Sequence, residues 1–190
     1  MSRAVSTIEA GALETAAAAP MLAQVCDWAE INSGSRNLAG LERMAAVLAD
    51  AFAPLPGRLA LRDAALPGLG HNLHLAVRPD APLQLLLTGH MDTVYGADHP
   101  FQRVTPVDAE GVMGGPGVAD MKGGIAVMLA ALRAFEASPL ASRIGYEVII
   151  NADEELGSPG SAPLIAERAH GKRAALTYEP SLLPDGTFAC

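Results

Sequence analysis

Two apolar runs in this chain end abruptly in polar residues able to bind ligands, and that repeated switch narrows the possible folds more than any other feature. Leu83-Gln84-Leu85-Leu86-Leu87-Thr88-Gly89 runs into His90-Met91-Asp92, and Tyr146-Glu147-Val148-Ile149-Ile150-Asn151 runs into Asp153-Glu154-Glu155. Short runs rich in branched residues, bounded by Gly and polar residues, read as buried strands. Both therefore deliver His and carboxylate side chains just past the carboxyl end of a strand. In open α/β sheets that edge is where ligands bind. Between the two runs, the glycine-rich segment Gly114–Gly124 carries a third acidic position, Asp120.

The rest of the chain supplies the layers such a sheet needs. Helical spacing predicts helices over Met21–Asn32, Leu38–Phe52, Gly123–Ala137 and Ser161–Ala169, with Pro54 and Ser138-Pro139 as stops. Strands are expected at Gly57–Ala64, Asn72–Val77, Leu83–Thr88, Ile144–Asn151 and Ala174–Tyr178, with a short ribbon over Val104–Val107 and Gly111–Met113. Residues 1–19 read as a loosely held leader or a weak helix. Thr187–Cys190 reads as a strand just beginning, and the chain is expected to stop before its fold and site are complete. Strands alternating with helices predict an α/β fold, a three-layer sandwich around a mostly parallel sheet.

Composition removes several function classes. A net charge of −8 argues against nucleic-acid binding. No run approaches the 18 apolar residues of a membrane span. Cys26 and Cys190 form no C-x-x-C pair, so no thiolate zinc site is expected and a reducing cytoplasm is the default compartment. Hydrophobic residues make up 50% of the chain but aromatics only 4%, so the core must be built from Leu, Val, Ile, Ala and Met.

Each acidic position has a bland reading and a chemical one. His90 and Asp92 are a loop pair, or Asp92 buttresses a metal-bound His90, since residues i and i+2 of an extended segment share a face. Asp120 is a helix N-cap, or a ligand. Adjacent Glu154 and Glu155 are a solvated pair, or one binds metal while the other acts as a base. Glu179 is a surface residue before Pro180, or a fourth ligand at a strand end. Asn32-Ser33-Gly34-Ser35-Arg36 reads as a helix-breaking loop. Several element ends all carrying ligand-type residues, with no nucleophile elbow or Walker A sequence, point to a metal-dependent hydrolase.

The strings His90-Met91-Asp92-Thr93-Val94-Tyr95, Gly115-Pro116-Gly117-Val118-Ala119-Asp120-Met121-Lys122-Gly123-Gly124, Asp153-Glu154-Glu155-x-Gly157-Ser158 and Tyr178-Glu179-Pro180 resemble the co-catalytic two-zinc peptidase and deacylase family. That family includes glutamate carboxypeptidase, acetylornithine deacetylase and succinyl-diaminopimelate desuccinylase. The resemblance implies that Asp120 bridges two zinc ions (cobalt or manganese being alternatives), that His90 and Glu179 complete one site and Glu155 the other. It implies Glu154 as general base, Asp92 as the holder of His90, a cis peptide at Asp120–Met121, and a small peptide or N-acyl amino acid as substrate. It also implies a further His ligand and a lid domain that supports dimerisation, neither of which the 190 residues contain; His71, His74, His99 and His170 match no ligand motif. Residues 20–190 are thus expected to be the amino-terminal part of a catalytic domain. The rival expectation is a non-catalytic fragment that binds metal weakly or needs a partner chain.

Overall fold

The computed structural model describes residues 5–181. Three helices open the chain: α1 (Thr7–Ala17), α2 (Met21–Ala29) and α3 (Leu38–Phe52). They lead into strands β1 (Arg58–Arg62), β2 (Asn72–Val77) and β3 (Leu83–His90), then α4 (Gly123–Glu136), β4 (Ile144–Asn151), α5 (Ala162–Ala169) and β5 (Ala174–Thr177). The expected α/β fold is the one observed. The segment from Thr7 to Ala17, left open between leader and helix, is a helix closed by a capping box: Ser6 Oγ accepts from Glu9 N and Glu9 Oε2 accepts from Ser6 N. The expected ribbon at 104–113 contains no strand. Its two arms meet through Thr105 N to Gly114 O (2.8 Å) and Asp108 N to Val112 O (2.9 Å), and otherwise through the Thr105 hydroxyl and the Asp108 carboxylate and main-chain oxygen, not through a strand ladder. The strand expected at Thr187–Cys190 lies outside the described residues.

The five strands are ordered β1-β2-β4-β3-β5. β2 is antiparallel to both its neighbours, while β3 is parallel to β4 and to β5, so four strands run one way and β2 the other. Alternation along the strands splits the sheet into two faces. On one face Leu73, Leu75, Leu87, Tyr146, Val148 and Ile150 pack with Trp28, Leu41, Met44, Leu48, Phe52, Ile125 and Leu129 of α2, α3 and α4. On the other, Leu86 and Ile149 are buried beside a polar cluster that ties down α5.

Topology positions the functional edge. The chain leaves β3 through α4 to reach β4 on one side, then returns through α5 to β5 on the other side of β3. Parallel crossovers are right-handed, so a reversal of direction along the sheet puts α4 and α5 on opposite faces. The carboxyl ends of β3 and β4 therefore flank a switch point, where the two outgoing connections part and leave a crevice.

The cluster under α5 is centred on Glu147. Its carboxylate lies 2.5 Å from His74 Nε2 and accepts from Lys172 Nζ at 2.6 Å. Burial would raise the Glu147 pKa, but the Lys172 and His74 hydrogen bonds outweigh it and hold the carboxyl below its ordinary range. A depressed carboxylate contributes stability that is full above its unfolded pKa of about 4.3 and is lost as pH falls through the folded value. Glu147→Gln is expected to cost about 3 kcal/mol at pH 7, because it leaves the partners of a largely buried ion pair uncompensated. Urea denaturation at pH 7 and in the acid range measures this. The variant should also lose part of the acid sensitivity of the parent protein.

Candidate metal centre

β3 ends at His90, which is 1% exposed. Its backbone N–H lies 3.1 Å from the sulfur of buried Met121. Its Nδ1 is 3.0 Å from the Asp92 main-chain oxygen and 3.4 Å from the Asp92 carboxylate. Its Nε2 points outward to Asp120 Oδ1 at 2.9 Å, Glu179 Oε1 at 3.7 Å and Glu154 Oε2 at 3.8 Å. One ligand atom each from His90, Asp120 and Glu155 lies within 4.8 Å of the others. The structure thus brings together His90, Asp120, Glu154, Glu155 and Glu179 from the ends of β3, β4 and β5 and from the turn before α4. Asp120, Glu154 and Glu179 remain 56%, 48% and 39% exposed, so the cluster opens into the crevice rather than the core.

The electrostatics fit a cation. Among the described residues, no Lys or Arg forms an ion pair with these four carboxylates. Burial raises the Glu154 pKa, with the charges of Glu179, Asp92 and Asp120 adding to it and His90 opposing. Glu155 is raised by burial and then by Asp120, Asp92 and Glu154. Burial works against a charged His90, yet hydrogen bonds and charge from Asp92 and Glu179 lift its pKa to about 11. An imidazole and several carboxylates sharing one small volume is a donor set suited to zinc, and cobalt or manganese could also occupy it.

Asp92 is not the solvated aspartate of a loop pair. It is fully buried, and beyond His90 it accepts from Glu154 N (3.1 Å), Glu155 N (3.2 Å) and Ser35 Oγ (2.7 Å). Asp153, buried below the acidic pair, accepts from Gly160 N at 2.6 Å and Ser161 N at 3.2 Å, which ties the loop after β4 to the start of α5. Lys122 is fully buried behind Asp120. Its ammonium donates to Ile31 O at 3.0 Å, and burial pushes its pKa down to about 8. Asp153 and Lys122 stand inside the motif strings and Ser35 inside the helix-breaking loop, but sequence reasoning assigned none of the three a role. His71 instead meets Asp63, His74 meets Glu147, and His99 packs against Tyr95 with its ring tilted by 56°.

The Asp120–Met121 peptide is cis. A few residues on, Gly124 lets the main chain before Glu179 close over the site. A Cβ at position 124 would sit 2.0 Å from the Tyr178 carbonyl oxygen. Gly124→Ala is therefore expected to push the Tyr178–Glu179 strand end away and cost about 1–3 kcal/mol through overpacking. Thermal denaturation measures the loss.

A sequence model described as peptidase family M20/M25/M40 matches residues 86–190. The chain belongs to this family. Within it, carboxypeptidase G2 of Pseudomonas sp. (strain RS-16) is 36% identical over 121 residues, covering 62% of this chain and 28% of the relative. The LysW-lysine hydrolase of Deinococcus radiodurans is 38% identical over 107 residues, covering 56% of this chain and 28% of the relative. The chain thus spans well under half the length of these relatives. Human carnosine dipeptidase 1 superposes with a TM-score of 0.68 at 22% identity, over 90% of this chain and 39% of that one, a likeness of fold. A tripeptidase from Staphylococcus aureus superposes with a TM-score of 0.61 at 27% identity, over 82% of this chain and 42% of that one. M20 membership agrees with the resemblance carried by the sequence motifs. No helix among the described residues is long and apolar enough to cross a membrane.

Proposed function

We propose that residues 20–190 form the amino-terminal part of the catalytic domain of a metal-dependent amide hydrolase. Its substrates are small peptides or N-acyl amino acids, as in metallocarboxypeptidases and deacylases. The observation that carries this reading is the convergence of His90, Asp120 and Glu155, with Glu179 and Glu154 beside them, at the sheet's switch point. His90, Asp120, Glu155 and Glu179 would hold two zinc ions, with Asp120 shared. When bound, the metal supplies Lewis-acid polarisation of the scissile carbonyl and a water of lowered pKa. Glu154, with a raised pKa and an exposed carboxylate, would be the group that takes up a proton from the attacking water and gives it to the leaving amine. Asp92 orients His90 from behind. In this reading a further His ligand, the lid and the dimer contacts come from polypeptide outside these residues, and a sequence with two cysteines and no C-x-x-C pair fits a cytoplasmic protein.

The exposure of β5 favours a second reading. Leu176 is 42% exposed although it shares a face with buried Leu87. A segment with such a face could need further polypeptide or a partner chain before it binds metal firmly. Zinc content and amide hydrolysis by the 190-residue chain separate the two. Bound zinc that His90→Ala abolishes supports the metal centre, and turnover extends it to catalysis. Absence of both supports the inactive segment.

A further inference from the structure

The loop between α2 and α3 reaches the acidic edge through one buried hydroxyl. Ser35 is 6% exposed, and its Oγ lies 2.7 Å from Asp92 Oδ2 and 3.3 Å from Thr93 O. A serine has one hydroxyl proton, and the shorter, charge-assisted bond to the carboxylate takes it. The two Asp92 oxygens then divide their partners. Oδ1 faces Glu154 N and His90 Nδ1, while Oδ2 faces Glu155 N and Ser35. A carboxylate's last torsion is broad and two-fold, so it is set by its partners. Of these, Ser35 alone stands outside the β3 end and the acidic loop.

Ser35 is itself fixed. Its backbone N–H donates to Thr93 O at 3.1 Å, and Thr93 N donates to Ser33 O at 3.0 Å. Gly34 sits in a parallel bridge with Thr93. A Cβ at Gly34 would meet the Tyr95 carbonyl oxygen at 2.3 Å, so only glycine lets the turn seat this deeply. The 33–35 turn is thus docked on the 93–95 segment before its hydroxyl is counted. It also lies outside the segment that the family model matches.

We propose that Ser35 is a positioning residue of the acidic loop: its hydroxyl fixes the Asp92 carboxylate and, through it, the backbone of Glu154 and Glu155. Its consequence for metal affinity rests on the metal-centre reading; its effect on the loop does not. The structure provides an internal control, because the amides of Gly160 and Ser161 are held by Asp153 instead.

The test compares the unaltered protein, Ser35→Ala and Leu48→Ala, the last a core truncation remote from the acidic edge. Residue-resolved amide hydrogen exchange by NMR is expected to show the Glu154 and Glu155 amides of Ser35→Ala exchanging about tenfold faster or more, with Gly160 and Ser161 little changed. Leu48→Ala should move both pairs together. Cobalt(II) titration followed by visible absorption should show an affinity loss of about 10–100-fold in Ser35→Ala, the range for residues that hold ligands in place. Unchanged exchange at Glu154 and Glu155, or an equal rise at all four amides, overturns the proposal. If the unaltered protein binds no cobalt, the 190-residue chain does not hold metal by itself, as the second reading expects, and the exchange pattern still decides the role of Ser35.

Discussion

Glu154→Gln in active enzyme carrying this segment is expected to lower kcat about 10²–10⁴-fold, the usual contribution of a general base, while leaving metal content unchanged. The substitution is nearly isosteric and keeps the main-chain N–H that Asp92 accepts. It removes only the ability of the side chain to take a proton. Glu154 suits that task because it is open to solvent, lies 3.8 Å from His90 Nε2, and has a pKa raised by burial and by three neighbouring carboxylates. Steady-state hydrolysis of an N-acyl amino acid, run beside metal analysis of the same sample, measures both quantities. Activity retained to within a few-fold would move the base role elsewhere. Zinc lost together with activity would mean that Glu154 is a ligand.

Legibility in the sequence followed the range of the interactions. α3, β2 and β4 fall on their expected bounds: the buried positions of α3 repeat at helical period, while β2 and β4 are short runs buried along nearly their whole length. The ligand-bearing carboxyl edge followed from the strand ends, a local fact, whereas the switch point depends on the strand order β1-β2-β4-β3-β5, which is set by tertiary packing. Asp92 shows where this stops. Its spacing from His90 suggested a buttress, but the nearer contact to His90 Nδ1 is its main-chain oxygen, and its carboxylate serves Ser35 and the acidic loop. Ser35 and Asp92 are 57 residues apart in sequence, and no periodicity links them. Glu147 illustrates the same limit from the other face. Within an apolar strand it looks like a solvent-facing residue, yet Lys172 reaches it from beyond α5 and His74 from β2. The cis Asp120–Met121 bond was legible only through family resemblance, since nothing in the side chains encodes it.

The second large effect separates ligand from scaffold. Asp120→Ala is expected to lower zinc affinity by more than the roughly 100-fold that supporting residues cost, and yet to leave the metal-free protein within about 1 kcal/mol of the parent. Asp120 is 56% exposed and adds its charge to those that raise Glu154 and Glu155. Removing it relieves that repulsion but gives up the 2.9 Å contact to His90 Nε2, and it opens no cavity, so the electrostatic changes offset one another. The parent protein should gain about 2.7 kcal/mol from metal at a hundred times its Kd, and Asp120→Ala should gain almost none at that concentration. Asp92→Ala makes the opposite pattern. Its carboxylate is fully buried and accepts from Ser35 Oγ and the Glu154 and Glu155 amides, so its loss strands those three donors, while His90 Nδ1 keeps the main-chain oxygen, and is expected to cost about 3–5 kcal/mol even without metal. Thermal denaturation of the three proteins with and without zinc reads both effects at once. A metal-dependent shift in Asp120→Ala equal to that of the parent would remove Asp120 from the ligand set and, with it, the shared carboxylate on which a two-ion centre depends.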